Sequence, residues 1–277
     1  MLTQIITPEI LDWIATQARA GHPQQAVLDA MRASGWKESV ATAAVARARA
    51  GRLPDDAPGV AVPEPDAKDT KCVFETSDRQ VPVLMSVRLP RIMVFGSLLS
   101  TDECDELMEL AQPALKRSTT VDNWNGGSEV TDYRNSDGTY FGRGAHPLLV
   151  KLESRIAQLL GWPVEKGEGI QVLRYGPGGE YRPHHDYFDP TIPGSAAMLP
   201  RGGQRVATLI MYLRSPEQGG ATIFPETRFQ VAPVKGNAVF FSYDRAHQKT
   251  LTLHGGAPVL AGEKWIATKW LREEIFT

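Results

Sequence analysis

Cysteine is scarce in this sequence, and long apolar runs are missing. Among 277 residues only Cys72 and Cys104 carry thiols, so neither a disulfide framework nor a cysteine-based zinc cluster is indicated. No apolar run reaches the length that a bilayer requires. The first residues do not combine a basic start with an apolar core and a cleavage site. These absences lead us to expect a cytoplasmic protein without a membrane partner.

An excess of one charge is also missing. The chain has 30 Lys and Arg against 32 Asp and Glu, which gives a formal net charge of -2 at pH 7. Binding to nucleic acid requires a basic patch or stripe that neutralises phosphates. The composition therefore predicts no nucleic-acid partner.

The chain divides into three regions. Residues 1–50 predict a small bundle of three helices, the first of which begins at Pro8 and ends before Gly21. Residues 51–80 are rich in proline and acidic side chains, which is typical of a linker. Residues 81–277 are long enough for one sizeable domain. We expect the bundle either to bind a protein partner, as an interaction or dimerisation module, or to pack on the larger domain.

The larger region begins with helices and ends in many short strands. Ser100 and Glu103 form a capping box, which predicts a helix through about Ala114, and a second helix follows Pro147. From about residue 169, short apolar runs alternate with Gly and Pro turns, a pattern typical of a β-sandwich or barrel. The predicted strands cover residues 91–95, 169–175, 180–187, 205–213, 220–223, 228–232, 237–241, 250–254 and 264–271.

Two histidines and one aspartate have the spacing of a metal site. His184 and Asp186 alternate along an extended segment, so their side chains point the same way, whereas His185 points to the opposite face. His254, far downstream, would complete a 2-His-1-carboxylate triad, which holds one face of an octahedral ferrous ion and leaves the other open. A single His-X-Asp triplet also arises by chance in surface loops. A structural metal site and an acid–base enzyme are the alternatives.

A lysine follows the second ligand histidine at the start of a strand-like segment. Period-2 alternation in residues 264–271 places four side chains on one face, namely Lys264, Ile266, Thr268 and Trp270. A buried lysine requires a fixed anion to offset its desolvation. The sequence therefore predicts that a carboxylate ligand binds beside the metal, with Lys264 as its partner.

At these positions the chain resembles the prolyl 4-hydroxylases, in their bacterial form, of the Fe(II)/2-oxoglutarate-dependent dioxygenase superfamily. The resemblance spans residues 81–277. It implies an α+β fold, namely a double-stranded β-helix, or distorted jelly roll, with helices that buttress one sheet. The small N-terminal bundle would be attached to it. The matching blocks are residues 171–176, 184–186, 205–208, 219–225, 234–238 and 254–271.

The resemblance also implies cofactors and residue roles. The chain would be a hydroxylase that uses Fe(II), 2-oxoglutarate, O2 and ascorbate, and that converts 2-oxoglutarate to succinate and CO2 during hydroxylation. His184, Asp186 and His254 would bind iron, and Lys264 would bind the distal carboxylate of 2-oxoglutarate. The residues that would line this pocket or border the metal are Thr208, Tyr212, Thr268, Tyr175 and Trp270. The first two are equally typical fillers of a half-buried strand face.

The expected substrate is a prolyl residue in a peptide or protein, and a free amino acid or another small molecule is the alternative. Trp270, Arg134 and Trp124 are the expected substrate contacts, of which the last two lie in the irregular stretch 121–139. The Gly- and Pro-rich segment 187–204 is long enough to close over a peptide.

Two further classes are disfavoured by the residues present. Related iron halogenases resemble this pattern but carry a small residue at the position of Asp186, so its carboxylate favours hydroxylation. A non-catalytic jelly-roll binding protein would tolerate the loss of a ligand or of Lys264, and all four residues are present.

Overall fold

The computed structural model describes residues 8–50, 59–65, 72–118, 120–121, 128–129, 134–189, 194 and 197–277. The helices are α1 (Pro8–Arg19), α2 (Gln24–Ala33), α3 (Glu38–Ala50), α4 (Thr101–Ala111) and α5 (Pro147–Leu160). The strands are β1 (Val73–Glu75), β2 (Gln80–Val87), β3 (Arg91–Phe95), β4 (Lys116–Arg117), β5 (Thr120–Val121), β6 (Ser128–Glu129), β7 (Asp137–Phe141), β8 (Gly167–Tyr175), β9 (Tyr181–His184), β10 (Arg205–Arg214), β11 (Gln218–Gly219), β12 (Thr222–Phe224), β13 (Phe229–Val231), β14 (Ala238–Ser242), β15 (His254–Gly256), β16 (Val259–Ala261) and β17 (Lys264–Arg272). None of the helices in these ranges has the length and apolar character that a membrane crossing requires.

Two antiparallel sheets form the body of the larger domain. The larger sheet has nine strands in the order β1-β2-β3-β14-β10-β17-β8-β7-β4, and the smaller has four in the order β13-β12-β15-β9. An apolar cluster joins them, because Phe224 and Val231 of the smaller sheet pack with Ile210, Tyr212 and Phe241 of the larger one. The architecture is a β-sandwich of the jelly-roll type, with a mouth between the sheets.

The central strands of the larger sheet, such as β10 and β14, are buried on both faces. On β10, Leu209 and Met211 belong to the apolar core that includes residues of α4 and α5, whereas Ile210 and Tyr212 lie between the sheets. This alternation follows from the two-residue period of a strand. The predicted arrangement, in which helices buttress one sheet, is the one observed.

The helices begin where the capping residues predict. The Ser100 hydroxyl accepts from the Glu103 backbone N–H, and the Glu103 carboxylate accepts from the Ser100 N–H, which confirms the predicted capping box. Helix α5 begins at Pro147 and ends at Leu160, and the following Gly161 has a φ of 59°, in the left-handed region that glycine tolerates. These two helices cover the face of the larger sheet that is remote from the mouth.

The first three helices have an apolar core of their own. It is built from residues of all three, including Ile14, Met31 and Val45. Within the stretch predicted as linker, the Val60 N–H donates to the Asp244 carbonyl oxygen at 3.0 Å. This part of the connection therefore lies on the larger domain.

Several sequence-based boundaries differ from the structure. The strand predicted at 180–187 ends at His184, so Asp186 lies in a bend after it, and the helix predicted through about Ala114 ends at Ala111 and is followed by a 3-10 turn.

Strand β1 lies inside the predicted linker 51–80 and pairs with β2, and its Phe74 joins the core; a three-residue strand is too short to show alternation in a sequence. The strand predicted at 250–254 begins only at His254. Gln248–Thr250 is a 3-10 turn and Leu251 has a φ of 54°, which is incompatible with an extended strand.

Candidate active site

Two histidines face each other on neighbouring strands of the smaller sheet. His184 ends β9, His254 begins β15, and the two residues are paired in register. Their ring centroids are 4.4 Å apart. Residues opposite each other in an antiparallel pair have neighbouring side chains. Strand pairing thus brings together two imidazoles that are far apart in the sequence.

Hydrogen bonds of the two imidazole rings determine which nitrogen of each ring is available to bind a metal. Nδ1 of His184 lies 2.9 Å from the Arg182 carbonyl oxygen, and Nδ1 of His254 lies 3.1 Å from the Thr252 carbonyl oxygen. A carbonyl oxygen only accepts hydrogen bonds, so each Nδ1 carries a proton and donates it. Each Nε2 is left to act as a metal ligand, the arrangement that orients a ligating imidazole.

Asp186 completes the group from the turn that follows β9. Its Oδ1 lies 3.6 Å from Nε2 of His184, and its Oδ2 lies 3.4 Å from Nε2 of His254. Ligand atoms of the three residues all lie within 4.8 Å of one another. The structure therefore brings together the three side chains that the sequence predicted as a triad.

The charges of this group suit a divalent cation. Burial lowers the pKa of His254 to about 4, against the opposing effect of Asp186, so this imidazole is neutral at neutral pH. Burial alone would raise the pKa of Asp186, but His254 and His184 hold it well below its usual range. An anionic carboxylate beside imidazole nitrogens is the donor set of non-haem ferrous sites. The residues present therefore fit Fe(II).

A cavity opens beside the triad, between the two sheets. Its wall is formed by β8 and β17 of the larger sheet and by residues of the smaller sheet. The predicted inward face of residues 264–271 is confirmed, because all of its members line this cavity. The lining residues are Arg134, Gln171, Leu173, Tyr175, Tyr181, His184, Asp186, Ile210, Thr222, His254, Gly255, Gly256, Lys264, Ile266, Thr268 and Trp270.

Lys264 is a buried cation in this cavity. The residue is 2% exposed. Its Nζ donates to the Gly220 carbonyl oxygen at 2.8 Å and lies 4.9 Å from the ring centroid of Tyr175. The described part of the chain offers this ammonium group no acidic partner, and burial lowers its pKa to about 8. A desolvated ammonium group of this kind favours an anionic ligand.

Of the other residues expected around the cofactor, some line the cavity and some lie behind its wall. Thr268 and Tyr175 line the cavity. Tyr212 lies outside its wall, and its hydroxyl donates at 2.8 Å to Thr222, which does line the cavity. The position of Thr222 was within the matching block 219–225, but no residue-level signal singled it out.

Thr208 also lies outside the cavity wall. Its hydroxyl donates to Oδ2 of Asp186 at 2.7 Å. Thr208 is on β10 of the larger sheet, whereas Asp186 follows β9 of the smaller one. The contact therefore crosses the mouth of the sandwich and supports the carboxylate from behind.

Two of the three expected substrate contacts lie at the cavity. Arg134 is buried, and its guanidinium carbon lies 5.2 Å from the ring centroid of Tyr181. Trp270 lines the cavity under the guanidinium group of Arg205, at 4.0 Å from the ring centroid. Trp124 lies outside the described residues.

An ion-pair network behind Trp270 was not predicted. Nε of Arg205 lies 2.6 Å from Oε1 of Glu168, and Nη1 of Arg272 lies 3.1 Å from the same oxygen. This buried network fixes the guanidinium group that covers the Trp270 ring. Its members are on three different strands, β8, β10 and β17, so no local sequence pattern could have revealed the pairing.

Comparisons with known proteins agree with this geometry. A profile described as the 2OG-Fe(II) oxygenase superfamily matches residues 170–272. Prolyl 4-hydroxylase 1 of Arabidopsis thaliana is 42% identical over 202 residues, which are 67% of this chain and 70% of the relative. Prolyl 4-hydroxylase 2 of the same plant is 38% identical over 210 residues, which are 68% of this chain and 69% of the relative.

One solved structure extends the similarity to the fold. The viral collagen prolyl hydroxylase of Paramecium Bursaria Chlorella virus-1, in its 2OG complex, is 32% identical to this chain, with a TM-score of 0.51. The match covers 65% of this chain and 95% of the viral protein. Together with the matched profile, it places the chain among the 2OG-Fe(II) oxygenases. Within that superfamily the chain belongs to the prolyl 4-hydroxylase family. It is a dioxygenase of a family whose cofactors are Fe(II), 2-oxoglutarate and O2.

Proposed function

We propose that the chain hydroxylates prolyl residues in a peptide or protein, with iron held by His184, Asp186 and His254. The observation that carries this proposal is a group of two imidazole Nε2 atoms and one ionised carboxylate. Beside it lies the buried ammonium group of Lys264, which has no acidic partner among the described residues. Bound Fe(II), with 2-oxoglutarate and O2, supplies the oxidation of a substrate C–H bond and releases succinate and CO2. The protein contributes binding, orientation and exclusion of water.

Lys264 binds the distal carboxylate of 2-oxoglutarate. Its buried Nζ is already oriented by the Gly220 carbonyl oxygen. Thr268 and Tyr175 line the same cavity, and burial raises the pKa of Tyr175, so its hydroxyl stays protonated and can donate a hydrogen bond. Thr208 and Tyr212 do not line the cavity but hold residues that do. Thr208 donates a hydrogen bond to Asp186, and Tyr212 donates one to Thr222.

The substrate enters on the side where Arg134 and Trp270 line the cavity. The apolar face of Trp270, which is held by the guanidinium group of Arg205, suits a pyrrolidine ring. The names of the plant and viral relatives, which are prolyl hydroxylases, support proline as the target. A free amino acid or another small molecule is the second candidate, because the lining of the cavity does not by itself require a peptide.

A substrate panel tests this proposal. Protein loaded with Fe(II) and 2-oxoglutarate is given proline-containing peptides, matched peptides with alanine at the same position, and free amino acids. Mass spectrometry should show one added oxygen on proline in the first group alone. Oxidation of a free amino acid with no peptide product would move the assignment to the second candidate.

We infer that ascorbate reduces iron that becomes oxidised in uncoupled turnovers, and that the protein acts in the cytoplasm. We propose three units, namely a helical unit (1–50), a connection (51–80) and a catalytic unit (81–277). Because β1 pairs with β2, the catalytic unit extends back to Val73. The helical unit is proposed to bind a protein partner, since α1–α3 have a core of their own.

A further inference from the structure

A hydrogen-bonded chain of two hydroxyl groups ends on the carboxylate of Asp186. The Thr208 hydroxyl oxygen lies 2.7 Å from Oδ2 of Asp186 and 3.0 Å from the hydroxyl oxygen of Tyr243. Tyr243 directly follows β14, the strand that neighbours β10 in the larger sheet. Thr208 is fully buried and Tyr243 is 2% exposed. The two hydroxyl groups are therefore shielded from water.

The carboxylate of Asp186 determines which group donates in each of these two hydrogen bonds. An ionised carboxylate has no proton and can only accept hydrogen bonds. The single proton of the Thr208 hydroxyl is therefore donated to Asp186, so Thr208 accepts from Tyr243. A phenol can supply this proton, because its pKa is ordinarily near 10 and burial raises the pKa of Tyr243 well above that.

We propose that Tyr243 is a positioning residue that acts through Thr208 and restricts Asp186 to binding iron through one oxygen. This inference rests on the iron site proposed above. A metal ion held by His184, His254 and one oxygen of Asp186 would keep open positions, which a chelating 2-oxoglutarate and O2 would need. A carboxylate that bound through both oxygens would remove one of them. A hydrogen bond from Thr208 to Oδ2 disfavours that second bond and holds the plane of the carboxylate.

The hydroxyl of Tyr243 can be removed without removing its ring. The ring packs edge-on against Tyr187 at 5.9 Å between centroids and beside Phe241 at 6.3 Å. Phenylalanine keeps these contacts, so Tyr243→Phe tests the hydroxyl alone. Thr208→Val replaces the donor by a methyl group of similar shape, and Thr208→Ser keeps the donor.

The experiment is a titration of metal-free protein with Co(II), followed by the visible absorption of the bound ion, in the absence of 2-oxoglutarate. Thr208→Val should weaken Co(II) binding about 10- to 100-fold and change the absorption spectrum, since partners of metal ligands have effects of this size. Thr208→Ser should restore both. Tyr243→Phe should weaken binding about 2- to 10-fold, as expected for one hydrogen bond. A matched control is Tyr140→Phe, whose hydroxyl contacts the Gly169 N–H on β8 instead of the triad; it should leave binding unchanged.

Combining the variants tests whether Tyr243 acts through Thr208. In the Thr208→Val background, Tyr243→Phe should have no further effect, because residues in one network are not additive. Equal effects of Tyr243→Phe in both backgrounds would overturn the inference. The inference would also be overturned if Thr208→Val had the Co(II) affinity and absorption spectrum of the wild type. This result counts only if the wild type binds Co(II) and Asp186→Ala does not. Failure of the wild type to bind Co(II) would instead reject the iron site itself, and this inference with it.

Discussion

The ammonium group of Lys264 is 2.8 Å from the carbonyl oxygen of Gly220, and this backbone contact orients it inside the cavity. Gly220 has a φ of 71°, a conformation that glycine adopts without strain. Because a carbonyl oxygen carries only a partial charge, the lysine keeps its positive charge available for a ligand.

Lys264→Met should mainly affect the use of 2-oxoglutarate. Methionine keeps much of the side-chain volume but cannot pair with a carboxylate. Loss of a buried charge partner should raise KM for 2-oxoglutarate about 100-fold, with kcat at saturation much less affected. The control is Lys235→Met, since Lys235 pairs with Asp105 away from the cavity. An unchanged KM in Lys264→Met would remove Lys264 from the cofactor pocket.

The pH dependence of KM should report the pKa of Lys264. Burial lowers this pKa to about 8 in the free protein, so the ammonium form that binds an anion is present below about pH 8 and is lost above it. KM for 2-oxoglutarate should therefore rise above this pH, by up to about tenfold per pH unit. Arginine stays charged throughout this range, so Lys264→Arg should abolish the rise. A rise that persists in Lys264→Arg would point to another group.

Each of His184→Ala, Asp186→Ala and His254→Ala should abolish metal binding and turnover while the fold is retained. Removal of a ligand should weaken Fe(II) binding by more than about 100-fold, measured anaerobically, with circular dichroism as the check on folding. His185→Ala is the matched control, because His185 stacks on Tyr187 and is not part of the triad. Full activity in any of the three triad variants under strict metal control would contradict the assignment.

Arg155→Leu should destabilise the protein without changing its affinity for 2-oxoglutarate. The fully buried Arg155 side chain contacts Glu103 at 2.6 Å and Asp78 at 3.1 Å, and it ties α5 to the start of α4. Its loss removes hydrogen bonds between charged groups, while Glu103 keeps Lys151 at 2.8 Å, so the change should cost about 2–3 kcal/mol of unfolding free energy. Denaturant unfolding measures this change, and a cost below about 1 kcal/mol would show that the network contributes little.

The same ion pairs give that variant a characteristic pH dependence. Hydrogen bonds from Arg155 lower the pKa of Asp78, and they also lower the pKa of Glu103 against the effect of its burial. Stabilisation by lowered carboxyl pKa values is present at neutral pH and is lost as the pH falls below about 4. The wild type should therefore lose more stability in acid than Arg155→Leu does.

Short-range sequence patterns predicted much of the fold and the central residues of the site. The strand predicted at 180–187 ends at His184, so Asp186 reaches the triad from the bend that follows and not by alternation along a strand. The capping box at Ser100 and the strand at 264–271, in contrast, depend on residues that are neighbours in the sequence, and both are observed. Such patterns can be recognised because local geometry determines them. The distant ligand His254 was expected from the sequence as the third member of the triad, and the family resemblance implied the same role for it.

Contacts between distant strands could not be predicted in the same way. The hydroxyl of Thr208 turns to Asp186, and that of Tyr212 turns to Thr222, although both threonine and tyrosine fit any half-buried strand. Tyr243 belongs to no recognisable motif. Which hydroxyl meets which partner depends on how two sheets are placed against each other, and alternation within one strand does not contain that information.

The most direct measurement of the central claim is the yield of succinate after O2 is added to protein loaded anaerobically with Fe(II) and 2-oxoglutarate. It is made with and without a proline-containing peptide, on the wild type and on Asp186→Ala. The account predicts succinate that is stimulated by the peptide, one added oxygen on proline per stimulated turnover, and neither product in Asp186→Ala. Absence of succinate from the wild type under all conditions, or equal succinate from Asp186→Ala, would contradict it.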